Sequence, residues 1–133
     1  MKSILPIFLL FFVTSITGCS YFTSEKDIIG EWKYIEIKTL HEDPKDKINS
    51  EELKKLSPSI TFLKDGGFKI MWDHKLLSSG KYVLEGNIIR ITENIPGEKT
   101  RQFPFLIISV DDHTLKFQTM VQDATIVTAR RIK

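Results

Sequence analysis

The sequence lacks most features that would point to metal, redox or nucleic-acid chemistry. It has a single cysteine, Cys19, so no disulfide can form within the chain. The three histidines, His41, His74 and His113, are scattered, and none has another histidine or cysteine at the spacing that metal ligands adopt. Basic and acidic residues are mixed along the chain, without the clustered basic face of nucleic-acid-binding proteins. No metal, cofactor or nucleic-acid partner is therefore expected.

Catalytic signatures are also missing. No glycine-rich phosphate loop occurs, and no serine or cysteine nucleophile lies close in sequence to a base. Asp111-Asp112-His113 looks like a carboxylate–histidine pair, but it falls in a predicted hairpin turn, where aspartate is favoured for backbone reasons. The sequence therefore predicts a protein that is not an enzyme.

The N-terminus carries the most specific signal. Lys2 precedes an apolar stretch from Ile4 to Ile16, which is too short to span a bilayer, since that takes roughly 20 apolar residues. A basic start, an apolar stretch and small residues are the parts of a secretory signal. With Ile16-Thr17-Gly18-Cys19 at its end, the segment resembles a bacterial lipoprotein signal peptide with its lipobox. The alternative, a cleavable signal without lipid, leaves an odd thiol in a secreted domain.

This resemblance implies a division of the chain and a location. Residues 1–18 are the signal peptide, residues 19–27 are the lipidated Cys19 with a polar tether, and residues 28–133 form one domain. Lipid on Cys19 anchors the protein to a membrane of the cell envelope. In enterobacterial lipoproteins an aspartate after the cysteine marks retention in the inner membrane; Ser20 stands there, so the outer membrane is favoured.

Beyond residue 28 the chain predicts an all-β fold. Short apolar segments alternate with turn signals every eight to twelve residues, which is typical of sandwiches and barrels. The strands are predicted at 31–40, 59–64, 68–72, 80–84, 88–92, 100–110, 113–120 and 124–132, with a short helix at 49–56 between the first two. Pro104 cannot donate to a strand ladder, so the sixth strand is expected either to be interrupted there or to begin at Phe105. Closing eight strands into an antiparallel up-and-down barrel removes the exposed edges.

Three motifs carry a family resemblance. Gly30-Glu31-Trp32 opens the first strand, as a Gly-x-Trp motif opens lipocalins. The segments 62–68 and 80–87, with their Asp-Gly and Gly-Asn turns, resemble the lipocalin-like domains of small bacterial lipoproteins. The resemblance covers residues 28–133 and implies that Gly30 and Trp32 are structural, with Arg130 or Arg131 packed over the Trp32 ring. The chain is shorter than true lipocalins and lacks their long C-terminal helix, which argues against a large cavity.

The interior of such a barrel supplies the candidate ligand-binding residues, which alternate with outward ones along the strands: Tyr34, Glu36, Phe62, Phe68, Trp72, Tyr82, Phe105 and Phe117. On an ideal first strand Glu36 shares the inner face of Trp32. In the rival phase a bulge turns Ile35 and Ile37 inward instead. Filling of the core explains the same alternation, so both a pocket and a packed interior stay open.

Two functions follow from these alternatives. The first is binding of a small hydrophobic or amphipathic ligand inside the barrel, because apolar clefts with a few polar groups are the usual small-molecule sites. The second is an envelope interaction or inhibitor module with a filled barrel. In that case a partner protein is expected to contact loops such as 73–77 or 93–100.

Overall fold

The computed structural model describes residues 23–40, 48–120 and 124–133. Cys19, the predicted signal peptide and His41 lie outside these ranges. Ten elements follow one another along the described chain: α1 Glu25–Ile28, β1 Gly30–Thr39, α2 Ser50–Leu56, β2 Ser59–Phe62, β3 Gly67–Trp72, β4 Lys75–Glu85, β5 Ile88–Ile95, β6 Lys99–Val110, β7 Thr114–Thr119 and β8 Thr125–Arg131.

The strands close into a barrel. Each strand pairs antiparallel with the next, and β8 returns to β1, so the order is sequential around eight strands. The prediction of an eight-stranded antiparallel barrel with a short helix between its first two strands is confirmed. The barrel has two ends. We call one of them the closed end; it carries α1, the C-terminus and the turns β2–β3, β4–β5 and β6–β7. We call the opposite end the α2 end.

Local sequence explains where α2 begins and ends. The Asn49 side chain accepts a hydrogen bond of 2.8 Å from the Glu52 backbone N–H, which caps one of the free donors of the first turn. Ser57 adopts the left-handed conformation (φ 47°, ψ 50°) and returns its N–H to the Leu53 carbonyl. Leu53, only 4% exposed, is the residue through which this short helix joins the core.

A bulge in β1 changes which side chains point inward. The register against β8 shifts between Tyr34 and Glu36. Trp32 and Tyr34 are buried, and after the bulge Ile37 packs against the core. Glu36 therefore points outward, with 55% of its side chain exposed and its carboxylate 3.9 Å from the Lys38 ammonium. The phase with an inward Glu36 is wrong, because an extra residue in one strand reverses the alternation beyond it. Of the two residues that the rival phase turns inward, Ile37 packs against the core, whereas Ile35 is 41% exposed.

Pro104 does not interrupt β6, which runs without a break from Lys99 to Val110. The Ile107 N–H donates to the Asn87 carbonyl on the β5 side, so by alternation the Pro104 nitrogen faces β7. The pairing with β7 begins only at Phe105, opposite Thr119. Position 104, where proline has no N–H, therefore faces the space beyond the end of β7. The described pairing of β6 with β7 loses no hydrogen bond there.

The closed end is sealed by α1, a helix that the sequence did not predict. Ile28 is fully buried, and its carbonyl accepts a 2.8 Å hydrogen bond from the Trp32 indole N–H. The Arg131 guanidinium lies over the Trp32 ring, 4.2 Å from its centroid, and donates to the backbone carbonyls of Asp27 and Ile29. Part of the predicted tether is therefore built into the barrel.

This arrangement settles which arginine packs over the tryptophan. Arg131 does so, whereas Arg130 is exposed. Gly30 supports the same contact, because a Cβ at this position, where φ is +138°, would lie 2.4 Å from the Lys133 carbonyl oxygen and 2.7 Å from the Arg131 guanidinium. Only glycine leaves the room that the C-terminal strand needs.

Candidate ligand-binding site

A row of four aromatic rings lines the inside of the barrel toward the α2 end. Tyr34 meets Phe117 edge-on with their centroids 6.0 Å apart, Phe117 lies 4.9 Å from Phe105, and Phe105 lies 5.3 Å from Phe103. Such tilted and edge-to-face pairs are the geometries that aromatic rings favour. We refer to these residues as the aromatic row. Its rings come from β1, β7 and β6, so the row passes over β8, which lies between β1 and β7.

The Tyr34 hydroxyl is the unusual polar group of this row. Tyr34 is 8% exposed, and its hydroxyl has no hydrogen bond to any other described residue. Every side-chain oxygen or nitrogen that is sealed from solvent in the described part of the chain has a partner, so this hydroxyl must border a space that water can reach. Burial raises the pKa of Tyr34 well above its usual value, so the group remains an O–H donor.

A polar cluster continues the inner face beyond the aromatic row. Glu93 pairs directly with Arg101 across β5 and β6, and its Oε1 lies 2.9 Å from the Arg101 Nη2. Its Oε2 accepts a 2.5 Å hydrogen bond from the buried Ser78 hydroxyl on β4. The Arg101 guanidinium also lies 5.3 Å from the centroid of the Phe103 ring. We call Ser78, Glu93 and Arg101 the polar cluster.

The predicted strands do not include the whole of this cluster, although the sequence carries a signal for it. Ile89 and Ile91 are fully buried, and Glu93 continues their period of two. The predicted fifth strand ended at residue 92, and Glu93 was assigned to a loop. A charged residue in phase with a buried apolar face is the pattern that would have found it, because such a residue needs a partner inside.

A cavity at the α2 end is lined by Phe103 and Phe105 of the aromatic row and by Arg101 of the polar cluster. It has a volume of about 340 Å³, within the range of small-molecule sites, and it opens beside the end of β7. Its lining is mostly apolar: Arg101, Gln102, Phe103, Pro104, Phe105, Thr119 and Met120.

The predicted ligand-binding residues divide between the two ends. Tyr34, Phe105 and Phe117 belong to the aromatic row. Phe62 and Phe68, each 1% exposed, fill the closed end, as Tyr82 does with its ring 5.0 Å from Phe62 and its hydroxyl bonded to the Leu63 carbonyl. Trp72 ends β3 at the α2 end and is half-buried. Phe103 and the polar cluster complete the site that the sequence only partly indicated.

Two further observations bear on the character of the molecule. No group of three or more histidine, cysteine, aspartate or glutamate side chains within residues 23–40, 48–120 and 124–133 is arranged to bind a metal ion. In the same part of the chain, no helix is long and apolar enough to cross a membrane.

Comparison with known proteins supports the fold. No protein-family model and no curated protein matches the chain. Among solved structures, the chain is similar to a lipocalin-like protein from Bacteroides uniformis, with a TM-score of 0.57 and 19% identity. The similarity covers 80% of this chain and 99% of that one. At this level of identity the likeness shows a shared lipocalin-like barrel.

Proposed function

We propose that this protein is a lipid-anchored envelope protein that binds a small apolar or amphipathic ligand at the α2 end of its barrel. The observation that carries the binding role is the Tyr34 hydroxyl, which stands at one end of an aromatic wall, borders space that water can reach and has no partner among the described residues. A ligand that carries an oxygen acceptor can replace water as the hydrogen-bond partner of this hydroxyl.

The packing of the barrel limits the ligand to a small one. Trp32, Phe62 and Phe68 fill the closed end and are at most 1% exposed. Within the barrel, space for a ligand is therefore expected toward the α2 end, where a cavity of about 340 Å³ lies beside Phe103 and Phe105. A ligand with a short apolar body and one polar head fits this division between an aromatic wall and a polar cluster.

Fluorescence titration with a neutral apolar probe, N-phenylnaphthylamine, tests the binding role. We expect saturable binding that Phe103→Ala weakens about tenfold, since the half-buried Phe103 ring forms part of the cavity wall. The matched control is Ile88→Ala, a half-buried apolar residue on the outer face of β5, which should leave binding unchanged. Absence of saturable binding to the wild-type protein contradicts the proposal.

Lipid anchoring rests on the sequence around Cys19 and has its own test. Cys19→Ser should abolish both the incorporation of labelled fatty acid and the partition of the protein into membranes. The matched control is Ser20→Ala, which leaves the cysteine in place. Unchanged membrane partition of a correctly processed Cys19→Ser protein would overturn the anchor, but not the binding site.

A second function, contact with a partner protein, is favoured by one feature. Leu76 and Leu77, 57% and 64% exposed, lie side by side on the β3–β4 hairpin, within the segment that sequence analysis predicted for a partner. Leu77→Ser should then abolish cross-linking to a specific envelope protein in cells. Val83→Ser, at an equally exposed apolar position on the same strand, is the control. A cross-linking pattern that both variants leave unchanged excludes this surface.

A further inference from the structure

The polar cluster places a fixed ion pair beside the proposed ligand-binding site. The Glu93 side chain is only 16% exposed, and each of its carboxylate oxygens has a donor, Arg101 on one side and Ser78 on the other. The carboxylate is therefore held in a fixed position, and Arg101 is the cation that pairs with it among the described residues. Because the Arg101 side chain is 63% exposed, its other N–H groups stay available at the rim of the barrel.

The cluster is in line with the apolar wall. Three successive cross-strand pairs face inward on β5 and β6: Ile89 with Phe105, Ile91 with Phe103, and Glu93 with Arg101. A chain-like apolar body lying along Phe105 and Phe103 therefore brings its head to the Glu93–Arg101 pair. The Arg101 guanidinium beside the Phe103 ring marks the point where the apolar wall ends.

A charged head group is disfavoured at this point. A carboxylate must compete with Glu93 for Arg101 while the fixed charge of Glu93 repels it, and an ammonium group meets the positive charge of Arg101 in the same way. An additional charge in this partly desolvated place has no counter-charge of its own. In contrast, an uncharged hydroxyl or carbonyl oxygen accepts a hydrogen bond from Arg101 and leaves the ion pair intact.

We propose that the site selects uncharged amphiphiles with an oxygen acceptor in the head group, such as long-chain alcohols, and that Glu93 is the residue that excludes fatty acids. This proposal rests on the ligand-binding function proposed above and specifies its ligand class. Glu93 here sets specificity by its charge, and Arg101 supplies both the neutralising cation and the donor.

Displacement of N-phenylnaphthylamine by three amphiphiles of one chain length tests the selectivity. The series is an alkan-1-ol, the corresponding fatty acid and the corresponding alkylamine, each used below its critical micelle concentration at neutral pH. We expect the alcohol to displace the probe from the wild-type protein at a concentration about tenfold lower than either charged molecule. Equal potency of alcohol and fatty acid overturns the proposal.

Two variants assign the selectivity to the cluster. Glu93→Gln keeps the shape of the side chain and its hydrogen bond to Ser78 but removes the charge. The affinity for the fatty acid should therefore rise about tenfold, while the affinity for the alcohol stays unchanged. Arg101→Met removes the positive charge instead, so the affinity for the alkylamine should rise. The matched control is Glu85→Gln, because Glu85 is also paired with an arginine, Arg90, but lies at the closed end. Variants are compared after their folding has been checked by circular dichroism.

The outcomes separate this proposal from the one on which it rests. If the wild-type protein binds neither the probe nor any amphiphile, the ligand-binding function and the selectivity both fail. If all three amphiphiles bind with equal affinity, the binding function stands and the role of Glu93 is refuted. The same conclusion follows if Glu93→Gln and Glu85→Gln change the ratio of the affinities for fatty acid and alcohol by the same factor.

Discussion

Arg131 connects three parts of the chain at the closed end. Its guanidinium donates to the carbonyls of Asp27, Ile29 and Asp112 and covers the Trp32 ring. We expect Arg131→Met to lower the free energy of unfolding by about 2–4 kcal/mol, because it removes charged hydrogen bonds and a cation–π contact together. Urea unfolding followed by tryptophan fluorescence measures this change.

The neighbouring arginine provides the control for that prediction. Arg130 is exposed, so Arg130→Met should change stability by no more than about 0.5 kcal/mol. Similar losses of unfolding free energy in the Arg131 and Arg130 variants would contradict the assignment of this stabilising role to Arg131. The family resemblance suggested either residue, but the strand pattern distinguishes them. Val127 and Ala129 are buried on β8, so alternation directs Arg131 inward and Arg130 outward.

Asp111 offers a test of stability against pH. Backbone N–H groups of His113 and Thr114 donate to its Oδ1 at 2.8 and 2.7 Å and lower the pKa of this carboxyl below its usual value. A carboxyl with a lowered pKa in the folded state stabilises the fold above its unfolded pKa of about 3.9, and this contribution disappears as the pH falls through the folded value.

The expected result is a difference between variants that depends on pH. Asp111→Asn should be less stable than the wild type at neutral pH, and the difference should shrink in acid, below pH of about 4, where both states of Asp111 become protonated. Asp112→Asn is the control, because Asp112 contributes its backbone carbonyl, not its carboxylate, to the Arg131 contact. If the stability difference between the wild type and Asp111→Asn stays constant through the acid range, the Asp111 carboxylate does not stabilise the turn as described.

Among the elements, α2 depends most on its ends. A helix of seven residues is unstable alone, so its cap and its buried Leu53 must hold it against the barrel. Asn49→Ala should cost about 1 kcal/mol, since it removes the acceptor for the Glu52 N–H. Ser50→Ala, one residue further on and exposed, should be nearly neutral. Thermal unfolding of both variants tests the cap, and an equal effect of the two would refute it.

The elements also show which structural features a sequence pattern can predict. Strand order and the position of α2 were predictable, since turn residues and period-two alternation reflect local backbone preferences. Glu36 and Pro104 were misjudged because their surroundings depend on neighbouring strands: a bulge against β8 turns Glu36 outward, and the end of β7 accommodates Pro104. The polar cluster was missed for a similar reason, since its three residues lie on three strands.

At the scale of the whole molecule, the two ends of the barrel differ in role. The chain leads into the closed end, where the Thr23 hydroxyl donates to Asn87 and Ile28 is buried. Cys19 lies four residues before Thr23, so a lipid on it holds this end within about 14 Å of the membrane surface. The twelve residues of β6, tilted as in other barrels, separate the two ends by about 30 Å.

A lipidated protein should therefore present its α2 end, with the aromatic row and the polar cluster, away from the membrane that anchors it. Because Cys19 is the only cysteine, Lys64→Cys at the closed end and Lys99→Cys at the α2 end each provide a single free thiol for a fluorophore. In lipid vesicles, energy transfer to acceptors on the head groups should be strong from position 64 and weak from position 99. Equal transfer from both positions would show that the barrel lies on its side, with the site near the bilayer, and unlipidated Cys19→Ser versions should show none.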